Sequence, residues 1–443
     1  MESLIIWGGT AVVAALIILP YFLRFRKAQK ESINRRMEAE AMGAIRPTAQ
    51  YPLIDQSRCI GCGTCVSVCP EGDVLGVVYG KAVIINGLRC VGHGHCETAC
   101  PVSAITVGLG DITTRDDIPI LDETHQSVSV PGMYVVGELG GLSLIRNAIT
   151  QGQAAVESIA ATRGGAADGS LLDVIIVGAG PAGLTAALSA IEHNLSYLVL
   201  DQQAPGGTIL QYPRRKLVMT QPVEIPLYGK LERSEYEKEE LLAIWEDAIE
   251  RFDVRMKTRN KVERVEATGD RFRVITADGT FESRNVVLAL GRRGTPRKLG
   301  VPGEDQSKVM YQLLDAQAYD GKHVLVVGGG DSAVEAAVGL ARQKGTTVTV
   351  SYRKSRFFRI KKKNQDRIDK YIAQKRVSAL FESNVKEIRE STVVLETPEG
   401  TVEIPNDFVF VFAGGIPPFK MLKEMGIAFG GETQDWQEQR QAG

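Results

Sequence analysis

All seven cysteines of this chain fall between Cys59 and Cys100, and their spacing leaves few folds open. Cys59, Cys62, Cys65 and Cys69 are followed by Pro70, the run C-x2-C-x2-C-x3-C-P. In such a run three thiolates hold one iron–sulfur cluster and the fourth crosses to a second, so a two-cluster domain is interlocked. A second run, Cys90, Cys96 and Cys100 followed by Pro101, carries His93 where the spacing calls for a cysteine. The crossing rule gives Cys59, Cys62, Cys65 and Cys100 to cluster one. Cluster two takes Cys69, Cys90, Cys96 and whatever position 93 supplies. Two runs that each end in Cys-Pro argue against zinc, and the cytoplasmic placement expected from the basic flank after Leu23 would argue against disulfides.

Gly92 and Gly94 flank His93 and let the backbone wrap closely, as a ligand loop needs. Imidazole in place of thiolate raises the reduction potential of a cluster, because a neutral ligand replaces an anion. Two readings stay open. His93 ligates iron, which is favoured, or cluster two is a three-iron cluster and His93 fills the space at its empty corner. His95 is expected in solvent or behind the ligands. Residues 51–110 resemble a bacterial two-cluster ferredoxin, a small α+β domain, and the resemblance implies two 4Fe-4S clusters. No cysteine remains for a redox-active disulfide elsewhere.

The run from Leu4 to Leu23 carries no charge. As a helix it would extend roughly 30 Å, one hydrocarbon thickness. A signal peptide places positive charge before its apolar run, whereas here only Glu2 precedes it. Arg24, Arg26, Lys27, Lys30, Arg35 and Arg36 come after it. The positive-inside rule then predicts a single-pass anchor in the inner (cytoplasmic) membrane, touching lipid through one helix, with the remaining domains in the cytoplasm. Residues 31–50 read as a juxtamembrane helix or tether. The net charge of −1 gives no reason to expect a nucleic-acid partner, and 443 residues suffice for two or three domains.

A β-branched strand, Val174 to Val177, enters G-x-G-x-x-G at Gly178, Gly180 and Gly183, and an alanine-rich helix follows. A second strand, Tyr197 to Leu200, ends in Asp201. Strand, glycine turn, helix and acid together form a Rossmann fingerprint, with pyrophosphate over the helix N-terminus and the acid on the ribose. A second copy starts at His323, with Gly328, Gly330 and Ala333 at the three turn positions and a strand from Thr346 to Ser351. That strand ends in Arg353 and Lys354, which suit a 2′-phosphate and favour NADPH over NADH; the alternative is that the basic run Arg353 to Lys363 is a solvated face.

Both copies, with Asp331-Ser332 and the connection V-V-L-A-L-G-R-R-G-T-P that contains Gly291, resemble the thioredoxin-reductase-like flavoproteins from Asp173 to Gly430. The resemblance implies an α/β chain with two Rossmann-like domains, FAD in the first and NADPH in the second. In that family the chain ends with a strand entering a glycine–acid pair that holds the flavin, and then a covering helix. Here that element looks to be upstream, as M-Y-V-V-G-E-L-G-G with Gly137 and Glu138, followed by a helical segment. The flavin domain therefore reads as circularly permuted, with Thr162 to Ser170 linking the old termini and the clusters brought close to the flavin. The alternative makes 111–162 an independent β-rich connector.

The expected division is 1–30 anchor, 31–50 tether, 51–110 ferredoxin, 111–162 flavin-covering segment, 171–297 FAD domain, 298–412 NADPH domain, 413–430 return to the FAD domain, and 431–443 tail. The parts imply an NAD(P)H-dependent FAD/iron–sulfur oxidoreductase moving electrons, in either direction, between NADPH and a one-electron carrier or membrane redox protein, with a homodimer among the assemblies allowed. A reductase of an external disulfide and a redox sensor are the alternatives. The catalytic side chains are left unassigned, because bound nicotinamide, flavin and clusters carry the chemistry. Gln211 to Arg251 is expected to contribute to the partner or substrate face.

Overall fold

The computed structural model describes residues 2–45, 50–112, 115–141, 144–163, 171–214, 216–219, 222–292 and 294–431. Most of the linker proposed at Thr162 to Ser170, and the tail from 432 on, lie outside the described residues. The chain forms two compact units. One is Met1–Gly110 with Phe358–Lys363; the other is Asp111–Phe357 with Asn364–Gly443.

In the first unit a single helix, Glu2–Ala41, runs through both the apolar stretch and the basic flank. Its first half has no polar face to hide: Trp7, Leu16, Ile17 and Tyr21 are all exposed. Among the described residues it is the one helix long and apolar enough to cross a membrane. Its last turns do not form a loose tether. Arg35 binds Asp73, which also pairs with Arg89 at 3.2 Å, and Ala39 and Ala44 are buried. Strand Tyr51–Ile54 then pairs antiparallel with Ile105–Gly108, and Leu75–Val78 with Lys81–Ile84. Cys59, Cys65, Val74, Leu75, Ala82, Ala104 and Ile105 form the buried core.

Two sheets position the site in the second unit. The first has a parallel core, Tyr197–Leu200, Leu172–Val177 and Gly279–Leu288, where the β-branched runs are buried almost completely, as strands covered on both faces must be. Strand Met133–Val135 joins it, parallel to Gly279–Leu288, with Met133 opposite Val286 and Val135 opposite Leu288. Helix Ile145–Ala161 packs on helix Pro181–Glu192 within the same hydrophobic core. Its end is tied down by Arg163, which bridges to the buried Asp173 at 3.3 Å. The segment before the first glycine turn is thus part of this sheet and core. The second sheet orders Val309–Met310, Phe408–Val411, His323–Val327, Thr347–Tyr352 and Val377–Phe381, all parallel. Two short strands, Thr295–Pro296 and Gly415–Ile416, pair where the chain leaves and re-enters the first sheet.

Candidate functional site

Four separate stretches of the second unit meet in one cleft of about 1360 Å³. Gly178 and Gly180 come from the turn after Leu172–Val177, Asp201 from the end of the next strand, Gly291 from the end of Gly279–Leu288, and Gly137 and Glu138 from the end of Met133–Val135. Gly178 has φ +111°, and a Cβ there would lie 2.4 Å from the Ala289 carbonyl oxygen. Gly183 does not line the cleft. A Cβ on it would lie 1.8 Å from the Gly178 oxygen, so its part is to let the helix sit on the turn. The helix from Pro181 therefore opens directly at the cleft, its unpaired N–H groups suited to an anion.

Asp201 does more than the sequence pattern implied. Its carboxylate accepts 2.6 Å hydrogen bonds from the Ala179 and Gln203 N–H groups, so it also braces the glycine turn. Burial pushes its carboxyl above the ordinary value, against the pull of those two bonds. Gly137 adopts φ +78° and donates its N–H to Gln151 Oε1 at 2.7 Å, while Glu138 is exposed to the cleft. Two side chains carried no motif signal. Gln151, buried on the covering helix, fixes the Gly137 turn. Asn260 lines the cleft and donates its backbone N–H to the Asp201 carbonyl at 2.8 Å, and its buried Oδ1 has no partner among the described residues. An orphaned buried acceptor, a glycine cradle and a helix N-terminus fit an adenine dinucleotide with its pyrophosphate at the turn.

At the second turn Gly328 has φ +142°, and a Cβ would meet the Phe412 oxygen at 2.5 Å. Gly330 caps helix Asp331–Leu340 and Ala333 is buried. None of the three lines the large cleft, whose wall on this side is Val309 to Gln312 and Leu314. A Cβ on Gly329 would lie 2.3 Å from the Tyr352 ring, so that ring lies against the turn. Arg353, exposed, and Lys354, half-buried, follow directly at the strand end. Asp331 accepts from Asn364 Nδ2 at 2.7 Å, which also reaches Glu335.

In the first unit Cys69, Cys90, His93 and Cys96 line one small cavity, together with Glu71 and His95. The two cysteine runs have the same backbone. Gly63 and Gly94 both take left-handed φ, +78° and +82°, and each opens a one-turn helix, Thr64–Ser67 and His95–Thr98. His93 thus stands at the position of Cys62. The neighbours correspond as well: Thr64 Oγ1 lies 3.3 Å from Cys62 Sγ, and the His95 ring stacks on His93 at 5.8 Å. His95 is therefore both beside His93 and exposed. Gln50, buried, bonds the Val91 and Gly92 carbonyls and shapes the loop. Cys59 and Cys100 sulfurs accept from the Ala82 and Ala104 N–H groups at 3.3 and 3.2 Å, while Cys62 is exposed. Burial pushes the Cys65 and Cys90 thiols up to about 11. Among the described residues no three His, Cys, Asp or Glu side chains converge as ligands of a single ion would. Thiolates spaced around an iron–sulfur cluster fit the donor set.

Comparison with known proteins decides the family, because residues 175–440, more than half the chain, match one described as pyridine nucleotide-disulphide oxidoreductase. The chain belongs to that family. Ahead of this pyridine nucleotide-disulphide oxidoreductase region, residues 51–101 match the 4Fe-4S dicluster domain. A ferredoxin–NADP reductase of Ignicoccus hospitalis is 30% identical over 59% of this chain and 83% of its own length. Thioredoxin reductase of Bacillus subtilis is 30% identical over 58% and 78%. Among solved structures, bacillithiol disulfide reductase Bdr of Bacillus cereus superposes with a TM-score of 0.53 at 28% identity, covering 59% of this chain and 83% of its own.

Proposed function

We propose that this protein is a membrane-anchored, NADPH-dependent oxidoreductase that carries FAD and two iron–sulfur clusters and exchanges electrons with a one-electron carrier or a membrane redox partner. One observation carries the reading most directly. Gly137 and Glu138 share a cleft with Gly178, Gly180 and Asp201, in a chain whose cysteine runs also draw Cys69, Cys90, Cys96 and His93 around one cavity. When bound, FAD accepts a hydride's electron pair and passes the electrons on singly, the conversion a nicotinamide and an iron–sulfur cluster need between them. The chain's part is to bind and orient. The Gly178 turn and the helix from Pro181 receive the pyrophosphate, Asp201 braces that turn from the ribose side, and Glu138 faces the ribityl end.

The parallel pairing of Met133–Val135 with the flavin sheet supports circular permutation, with the upstream segment serving as the family's closing strand and helix. Gly328, Gly330 and Ala333 are read as the NADPH turn, with Arg353 and Lys354 on the 2′-phosphate. In the ferredoxin domain Cys59, Cys62, Cys65 and Cys100 hold cluster one, and Cys69, Cys90, Cys96 and His93 hold cluster two. The matching backbone at Cys62 and His93 supports the histidine ligand. The exposed apolar half of Glu2–Ala41 supports the anchor. Disulfide reduction is less favoured, since every cysteine is used by the two runs. Anaerobic purification tests the whole: one FAD and about seven or eight irons per chain are expected, with NADPH bleaching the flavin. Zinc without acid-labile sulfide would overturn it.

A further inference from the structure

The basic run Arg353 to Lys363 reads as one face in the sequence, but the fold divides it. Arg353, Lys354 and Arg356 stay with the nucleotide-binding unit, whereas Phe358–Lys363 groups with the ferredoxin unit. Asn86 Nδ2 donates a buried 2.7 Å hydrogen bond to the Phe358 carbonyl, and Ile360 is completely buried. Asn86 leads into the short helix that delivers Cys90. On the other side, the Lys362 stem lies 3.8 Å from the point where Gly72 would carry a Cβ, and Gly72 closes the turn that follows Cys69. The strap is therefore held at both loops that line the cluster-two cavity. Between those two anchor points stands Lys361, half-buried, while Lys362 and Lys363 at the strap's end are exposed. Lys361 immediately precedes Lys362, whose stem packs at Gly72, next in sequence to the cavity residues Cys69 to Glu71. Glu71, buried in the same cavity, carries the opposing charge, and His95 is the other titratable neighbour.

We infer that Lys361 is a tuning residue for cluster two, a fixed cation that favours the reduced, more negative cluster and raises its reduction potential. The inference rests on the proposed reading that Cys69, Cys90, Cys96 and His93 hold that cluster. Reduction adds one electron to the cluster, and Lys361 stays protonated throughout. A half-buried charge is screened less by salt than an exposed one, which is why Lys361 and not its neighbours sets the field.

The test is an EPR-monitored redox titration of the anaerobically purified full chain. Lys361→Gln should shift the equilibrium of cluster two about tenfold toward the oxidised form, which is about 59 mV for a one-electron couple. Cluster one and the flavin should not move, and Lys361→Arg should restore the wild-type value. Glu71→Gln should shift cluster two the opposite way. An unchanged cluster-two potential in Lys361→Gln would overturn the inference, and so would loss of cluster-two iron in that variant, since a tuning charge is not needed for assembly. Absence of a second cluster from the wild type would instead overturn the ligand assignment on which the inference rests.

Discussion

Replacing Gly152 with alanine tests whether the segment upstream of the first glycine turn is part of the flavin fold. Gly152 lies on helix Ile145–Ala161, where a Cβ would sit 2.1 Å from the Ala182 carbonyl oxygen and 3.0 Å from its carbon. Even a close carbon–oxygen contact is about 3.3 Å, so the helices must separate by roughly 1 Å. Forcing a methyl into such packing costs about 1–3 kcal/mol. The neighbouring Gln151 would be drawn from the Gly137 N–H, and an unpaired buried donor costs about 1–3 kcal/mol more. Alanine's better helix propensity returns roughly 1 kcal/mol. The net loss is about 1–5 kcal/mol, or roughly 2–4 °C in Tm for each kcal/mol. Because Gly137 lines the cleft, FAD should also dissociate more readily. Thermal unfolding followed by flavin fluorescence reads both effects, with the exposed Thr150→Ala on the same helix as control. Unchanged Tm and flavin retention in Gly152→Ala would refute the packing argument.

Four other outcomes are expected. His93→Cys should keep four irons in cluster two and lower its potential, while His93→Ala should lose an iron or take up an exogenous ligand; a three-iron EPR signal already present in strictly anaerobic wild type would refute ligation. Arg353→Ala should reduce kcat/KM for NADPH while leaving NADH nearly unaffected, and equal losses would refute the 2′-phosphate assignment. Asp117 is partly buried, which works against its ionisation, but hydrogen bonds from Arg115 and Arg292 outweigh that and hold its carboxyl below the ordinary value. A depressed carboxyl stabilises the fold above its unfolded pKa and loses that contribution as pH falls through the folded value, so Asp117→Asn should cost about 1–3 kcal/mol at pH 7 and little near pH 2; a pH-independent cost would refute it. Deleting residues 1–30 should release the protein from the membrane fraction, and an unchanged distribution would count against the anchor.

The cysteine runs and the glycine turns were legible because their chemistry requires fixed spacing over a few residues. Cys59 to Cys69, Gly178 to Gly183 and the buried β-branched strands are local patterns, and a single chain displays them without any knowledge of what packs against it. The charge-free run before Arg24 was legible for the same reason, since hydrophobic length is a property of consecutive residues. Tertiary structure decided what depends on residues distant in sequence. It placed Met133–Val135 beside Gly279–Leu288 and turned Gly137 onto Gln151. It brought Asn260, whose buried Oδ1 has no partner among the described residues, to the cleft wall and stacked His95 on His93. It also split the basic run, sending Lys361 to the ferredoxin unit and leaving Arg353 with the nucleotide turn. A run of lysines and arginines specifies charge but no direction, and only the backbone path of Phe358–Lys363, pinned by Asn86, gives that charge an address.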